Sequence, residues 1–86
     1  MKVTCVKKAF DMEKFHYALD RFKAEHYGEK PSYIIMNYET RAGLLAGHYW
    51  GIIAEDFISN GRKIETLYGI PVAINEGLKF GEVDII

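Results

Sequence analysis

Apolar positions recur with two different periods along this chain, and the period changes mark its elements. Met12, Phe15, Leu19, Phe22 and His26 are spaced 3, 4, 3 and 4 residues apart. That spacing places them on one stripe of a helix over residues 11–27, with Glu13, Lys14, Asp20, Arg21, Lys23 and Glu25 elsewhere on its surface. Asp11 suits the N-cap, where a carboxylate accepts from the free amides of the first turn. Gly28 suits the left-handed position after the helix, and Pro31 prevents its resumption. The stripe reads as a core face, because two or three heptads do not argue for a coiled coil.

Shorter apolar runs read as strands. Residues 2–6 alternate, with Val3 and Cys5 set against Lys2, Thr4 and Val6. Residues 32–36 follow a proline and end in Ile34-Ile35-Met36. Asn37 then suits a second N-cap and Glu39 a first helical turn, so a helix is expected over 38–47. Residues 62–67, 69–74 and 82–86 read as three further strands, the last two separated by an Asn75-Glu76-Gly77 turn. Tyr68-Gly69 predicts a tight turn or a bulge, and Pro71 restricts its strand to an edge, a strand start or a bulge.

The segment 50–59 is ambiguous. Leu44, Leu45, His48, Ile52, Ile53 and Phe57 keep helical spacing, and on that ground 50–59 is read as a second helical piece rather than a strand. Gly43, Gly47 and Gly51 sit inside the run, each costing about 1 kcal/mol relative to Ala in a helix. They indicate close approach to a neighbour or a helix broken there. Asn60-Gly61 closes the segment as a turn. The expected order is β-α-β-α-(α)-β-β-β. The expected fold is a small single α+β domain over residues 1–86, a mainly antiparallel sheet of three to five strands with two or three helices packed on one face.

Composition refines this. A chain of 86 residues buries about 60–65% of its unfolded surface on folding, a small margin. Six Tyr, five Phe and one Trp give it much buried area per side chain. Eleven basic and twelve acidic residues leave a formal charge of −1, which argues against a duplex nucleic-acid binder. No apolar stretch is long enough for a transmembrane helix, and residues 1–8 lack the core of a signal peptide. A single cysteine forms no intrachain disulfide, so a reducing cytoplasm is expected.

Candidate chemistry is sparse. His16 and His26 lie ten residues apart on the first helix, about 15 Å of rise, and do not share one ion. There is no His-x-x-x-His or Cys-x-x-Cys pair, no phosphate-binding glycine motif, and no implied cofactor or small-molecule substrate. Cys5 has no local motif of a nucleophile and reads as a small core thiol. Glu55 and Asp56 are adjacent, about 100° apart on a helix, and read as solvated surface. His26 reads as a residue at the stripe's edge near a helix C-terminus. His48-Tyr49-Trp50 is the candidate partner-binding cluster, since Trp and Tyr are favoured at interface hot spots. The alternative is that the single Trp serves the core, and the composition favours it.

From Lys30 onward the chain resembles small proteins encoded in tailed phages and prophages. The resemblance lies in the run Lys30-Pro31-Ser32-Tyr33-Ile34-Ile35-Met36-Asn37-Tyr38-Glu39-Thr40 and in the stretch Leu67 to Ile86. Ile34-Ile35-Met36-Asn37 with Thr40, Leu67-Tyr68-Gly69-Ile70-Pro71-Val72, and Gly81 to Ile86 are also similar to the C-terminal part of tailed-phage major capsid proteins. Those subunits are several times longer, with a spine helix and extended arms that this chain lacks. The resemblance thus implies a reused sub-domain: a non-enzymatic phage or prophage protein acting by protein–protein contact. Its role would be in particle assembly or as an accessory virion component. The alternative is a small regulator that binds a host or phage protein in the infected cell. The implied partner is a protein, self-association included, in the host bacterial cytoplasm or the virion.

Overall fold

The structure, a computed structural model, describes residues 1–5, 11–46, 53–57, 61 and 63–86, with backbone only for 53–57 and 63. The elements run β1 (Lys2–Thr4), α1 (Met12–Glu25), β2 (Ile34–Met36), α2 (Tyr38–Ala46), β3 (Ile53–Phe57), β4 (Lys63–Leu67), β5 (Ile70–Ile74) and β6 (Glu82–Ile85). The class is α+β. The strands form one sheet in the order β1-β6-β2-β5-β4-β3. Among the described strands only the β2–β5 pair is parallel, with Ile34 opposite Val72 and Met36 opposite Ile74.

Local chemistry sets the element ends. The Asp11 side chain accepts from the Lys14 amide at 3.1 Å and caps α1. The far end of α1 departs from expectation by one residue. Tyr27 takes the left-handed backbone first (φ 56), followed by Gly28 (φ 84). The Gly28 amide donates to the Lys23 carbonyl at 2.7 Å, closing the helix with the 6→1 bond of a Schellman motif. Tyr68-Gly69 is a two-residue hairpin turn between Leu67 and Ile70, with φ values of 54 and 77. Both positive values match the turn whose twist suits a hairpin. Pro71 lies at a strand start: the ladder from β5 to β2 begins at Val72.

Residues 53–57 are a strand, which corrects the helical reading of 50–59. They pair antiparallel with β4 over five positions, from Ile53 opposite Leu67 to Phe57 opposite Lys63. A short apolar run fits either period. Here the hairpin to β4 supplies a ladder that a helix interrupted by glycines does not match.

One face of the sheet carries the core. Val3, Val83, Ile85, Ile34, Met36, Val72, Ile70 and Leu67 share that face by pleat and register. They pack with Met12, Phe15, Ala18, Leu19 and Phe22 of α1, Leu44 of α2 and Cys5 in a single cluster. The α1 stripe is therefore buried from Met12 to Phe22, while His26 is exposed. Each large side chain buried this way contributes about 1.5–3 kcal/mol. Glu65 shares the parity of Leu67, and Arg41 of α2 reaches it with Nε donating to Oε2 at 2.7 Å and Nη2 donating to Oε1. Both helices thus lie on this face.

β6 occupies the slot between β1 and β2, so the chain leaving β5 must cross the end of β2 to reach it. Asn37, directly after β2, fastens that crossing. Its buried Oδ1 accepts from the Thr40 amide at 2.7 Å and the Thr40 hydroxyl at 2.6 Å. Its Nδ2 donates to the Leu78 carbonyl at 3.1 Å, and the Thr40 Oγ1 accepts from the Gly81 amide at 2.8 Å. The Tyr38 amide donates to Glu76 at 3.1 Å, and the Asn75 amide to the Met36 carbonyl at 3.0 Å. The N-cap of α2 and the anchor of residues 75–81 are one cluster.

Two predictions follow from these contacts. Asn37→Ala removes a cap and leaves buried groups of Thr40 and Leu78 unpaired, so urea unfolding should show a loss of about 2–4 kcal/mol. A loss below about 1 kcal/mol would show that this cluster does not hold the crossing. The second prediction concerns acid. The hydrogen bond from Arg41 holds the Glu65 carboxyl below its ordinary value of 4.5. Its stabilisation is present above that value and is lost as pH falls through the lowered one. The stability difference between the protein and Glu65→Gln should therefore be constant near neutrality and shrink below about pH 4. A difference unchanged down to pH 2 would refute the assignment.

Candidate interaction face

The opposite face of the sheet follows from the same pleat. In β6, Val83 and Ile85 point to the core, so Glu82 and Asp84 point away. β1 adds Lys2 and Thr4, with Lys2 opposite Asp84. This side of the second face is charged.

The other side is apolar. Ile35 lies opposite both Asp84 and Ala73, which carries the row from β6 through β2 to β5. Pro71 lies opposite Thr66, and Ile64 shares the parity of Thr66 on β4. The Ile86 amide and the Tyr33 carbonyl bond at 3.1 Å, and the Tyr33 amide returns to the Ile86 carbonyl at 3.0 Å. This pair extends the sheet by one residue and brings both side chains onto the same face. Tyr33 is 47% exposed and Ile86 49%. Tyr33, Ile35, Ile64, Pro71, Ala73 and Ile86 thus make a continuous apolar patch over four strands. Among the described residues, none of these six belongs to the core cluster.

The sequence carried a signal for this face that periodicity within helices did not use. Ile34-Ile35-Met36 and Pro71-Val72-Ala73-Ile74 are unbroken apolar runs. Strands covered on one face alternate; unbroken runs are typical of strands covered on both. By contrast, Glu82-Val83-Asp84-Ile85 alternates cleanly.

The candidates raised from the sequence fall elsewhere. His48, Tyr49 and Trp50 lie outside the described residues. Cys5 is fully buried in the core cluster, and burial pushes its thiol up to about 11, with Asp11 adding to the rise and Lys14 opposing it. It is a core side chain. His26 stacks on the Phe22 ring at 3.9 Å with 10° between planes, and its Nδ1 lies 2.7 Å from the Phe22 carbonyl. His16 is exposed on α1, its Nε2 2.8 Å from the Tyr68 hydroxyl. Glu55 and Asp56 lie on β3, opposite Glu65 and Ile64 in register. Among the described residues no group of three His, Cys, Asp or Glu could hold a metal ion, and no helix is long and apolar enough to cross a membrane. The chain matches no family model, no curated protein and no solved structure.

The burial of Cys5 is directly measurable. At pH 8 its alkylation by iodoacetamide should be roughly a hundredfold or more slower in the folded chain than in guanidinium, where the thiol returns to its ordinary range. Equal rates in the two states would place Cys5 outside the core.

Proposed function

We propose that this chain is a non-enzymatic protein that acts through protein–protein contact, made by the apolar patch of the second sheet face. The observation that carries the reading is the pairing of unbroken apolar strands β2 and β5, with both described helices packed on the other face of the sheet. Ile35 and Ala73 lie at the centre of the patch, with the half-exposed Tyr33 and Ile86 beside them. An apolar centre with a charged rim is the usual composition of a contact surface. Here the rim is Lys2, Glu82 and Asp84, on the β1–β6 side.

Self-association is the contact this face fits most simply. The rim carries both charge signs side by side, so a two-fold arrangement sets Lys2 of one copy near Glu82 or Asp84 of the next. The similarity of Lys30–Thr40 and Leu67–Ile86 to tailed-phage proteins supports placing that contact in phage or prophage biology, in particle assembly or as an accessory virion component.

Light scattering at high micromolar concentration should give a mass of two copies or more. Ile35→Lys, a change on the second face, should give the monomer mass with an unaltered circular dichroism spectrum. A strict monomer for the unsubstituted chain would overturn self-association through this face. An assembly indifferent to Ile35→Lys would assign it to another surface.

A further inference from the structure

β1 stands at one end of the strand order, and among the described strands its single neighbour is β6. The ladder between them can be followed bond by bond. The Ile85 amide donates to the Met1 carbonyl at 2.8 Å, and the Cys5 amide to the Gly81 carbonyl at 2.8 Å. Lys2, Val3 and Thr4 lie between, opposite Asp84, Val83 and Glu82. Bonded and non-bonded pairs alternate along an antiparallel ladder. Met1, Val3 and Cys5 therefore turn their backbone groups toward β6, and Lys2 and Thr4 turn theirs outward. Both outward residues are exposed. Two amides and two carbonyls thus line an edge at the spacing a further strand needs.

The edge runs beside a groove. Lys14, Tyr17, Ala18 and Arg21 follow one another at spacings 3, 1 and 3 along α1, a second stripe next to the core stripe. With Lys2 and Val3 they line a hollow of about 200 Å³ between α1 and β1. Its apolar part comes from Val3 and the buried Ala18, with Tyr17, 70% exposed, standing over them. Its charged part is cationic: Lys2, Lys14 and Arg21, with no carboxylate in the lining. Arg21 is engaged by Glu25 at 3.1 Å, whereas Lys2 and Lys14 have no ion-pair partner among the described residues. Asp11 and Glu13 line a neighbouring hollow and bound the basic stretch on that side.

We propose that β1 and α1 together receive an extended acidic segment of a partner protein, added as a strand beyond β1. Main-chain bonds to Lys2 and Thr4 hold such a segment, and its alternate side chains select it. A residue opposite Val3 points into the groove and is apolar. Lys2 lies on one face of the added strand and Lys14 on the other, so carboxylates on both faces meet a cation. Pairing with β1 of a second copy instead gathers two sets of the same cations along one seam, which is unfavourable. This contact is distinct from the apolar patch of the second sheet face and does not rest on it.

A capped heptapeptide of alternating glutamate and valine, titrated into the isotope-labelled chain at physiological salt, tests the assignment. Saturable nuclear magnetic resonance shifts should centre on Lys2, Thr4, Tyr17 and Ala18. The Lys2 and Thr4 amides should gain protection from hydrogen exchange, while the Val3 amide, already turned to β6, should not. The same peptide with lysine for glutamate should bind about tenfold more weakly or worse. Lys14→Glu should weaken binding of the acidic peptide about three- to tenfold, and Lys79→Glu, remote on the 75–81 crossing, should leave it unchanged. Thr4→Pro removes an outward amide and no bond of the β6 ladder, which an edge strand tolerates, and should abolish binding with an unaltered circular dichroism spectrum. Methylating alternate peptide amides gives two variants, of which one should bind and the other should not. Ile35→Lys should bind the peptide as the unsubstituted chain does, which separates this contact from the patch. Shifts without saturation, equal binding of the lysine peptide, or equal binding of both methylated variants would overturn the proposal. Protection of Lys2 and Thr4 that rises with protein concentration and without peptide would overturn it too, by giving the edge to a second copy.

Discussion

The buried cluster of Asn37 and Thr40 is the constraint on which the rest of the sheet depends. Two jobs meet in it. Asn37 ends β2 and caps α2, and through Leu78 and Gly81 the same two side chains hold the crossing that delivers β6 to its slot. Buried amide and hydroxyl groups are costly when unpaired, so the cluster favours one path of the crossing over its alternatives. Arg41, one residue on, then ties α2 to β4. The first turn of α2 therefore links β2, β4, β5 and β6, three of which are distant from it in sequence.

What could be read from the sequence was local. The α1 stripe, the Asp11 cap, the Asn37 cap and the Tyr68-Gly69 turn each rest on residues within a few positions of one another, and each is present. The α+β class followed from them. What could not be read depends on partners far along the chain. β3 is a strand because β4 pairs with it, and the run Ile52-Ile53 with Phe57 suits a helix equally well by spacing. The one-residue shift at the end of α1, onto Tyr27, is a matter of which backbone closes the Schellman bond, and glycine preference alone pointed to Gly28. The candidate site was legible only in outline. Unbroken apolar runs were visible at 34–36 and 71–74, but the sharing of one face by Tyr33, Ile35, Ala73 and Ile86 required the register.

The two faces of the sheet differ in how they are finished. On the helix side, Phe15, Ile34, Met36, Leu44, Leu67, Val83 and Ile85 are wholly excluded from water. On the other side the centre of the sheet is just as apolar in kind, yet its described residues stay partly exposed, apart from Thr66. Among the described side chains of this face, charge lies toward β1 and β6. A sheet shaped for solvent would alternate on all its strands; this one alternates on the strands at one side and not at its centre.

The place of β6 in the sheet has a consequence for the order in which the chain acquires structure. Among the described strands β1 pairs with β6 alone, Lys2 with Asp84 and Thr4 with Glu82, and β6 lies between two strands that are synthesised long before it. Until residues 82–85 have left the ribosome, β1 has no ladder and β2 lacks one of its two neighbours. A chain built outward from a local hairpin could mature as it emerged. This one keeps β1 waiting for β6, so the sheet is completed only once residues 82–85 are available to enter between β1 and β2.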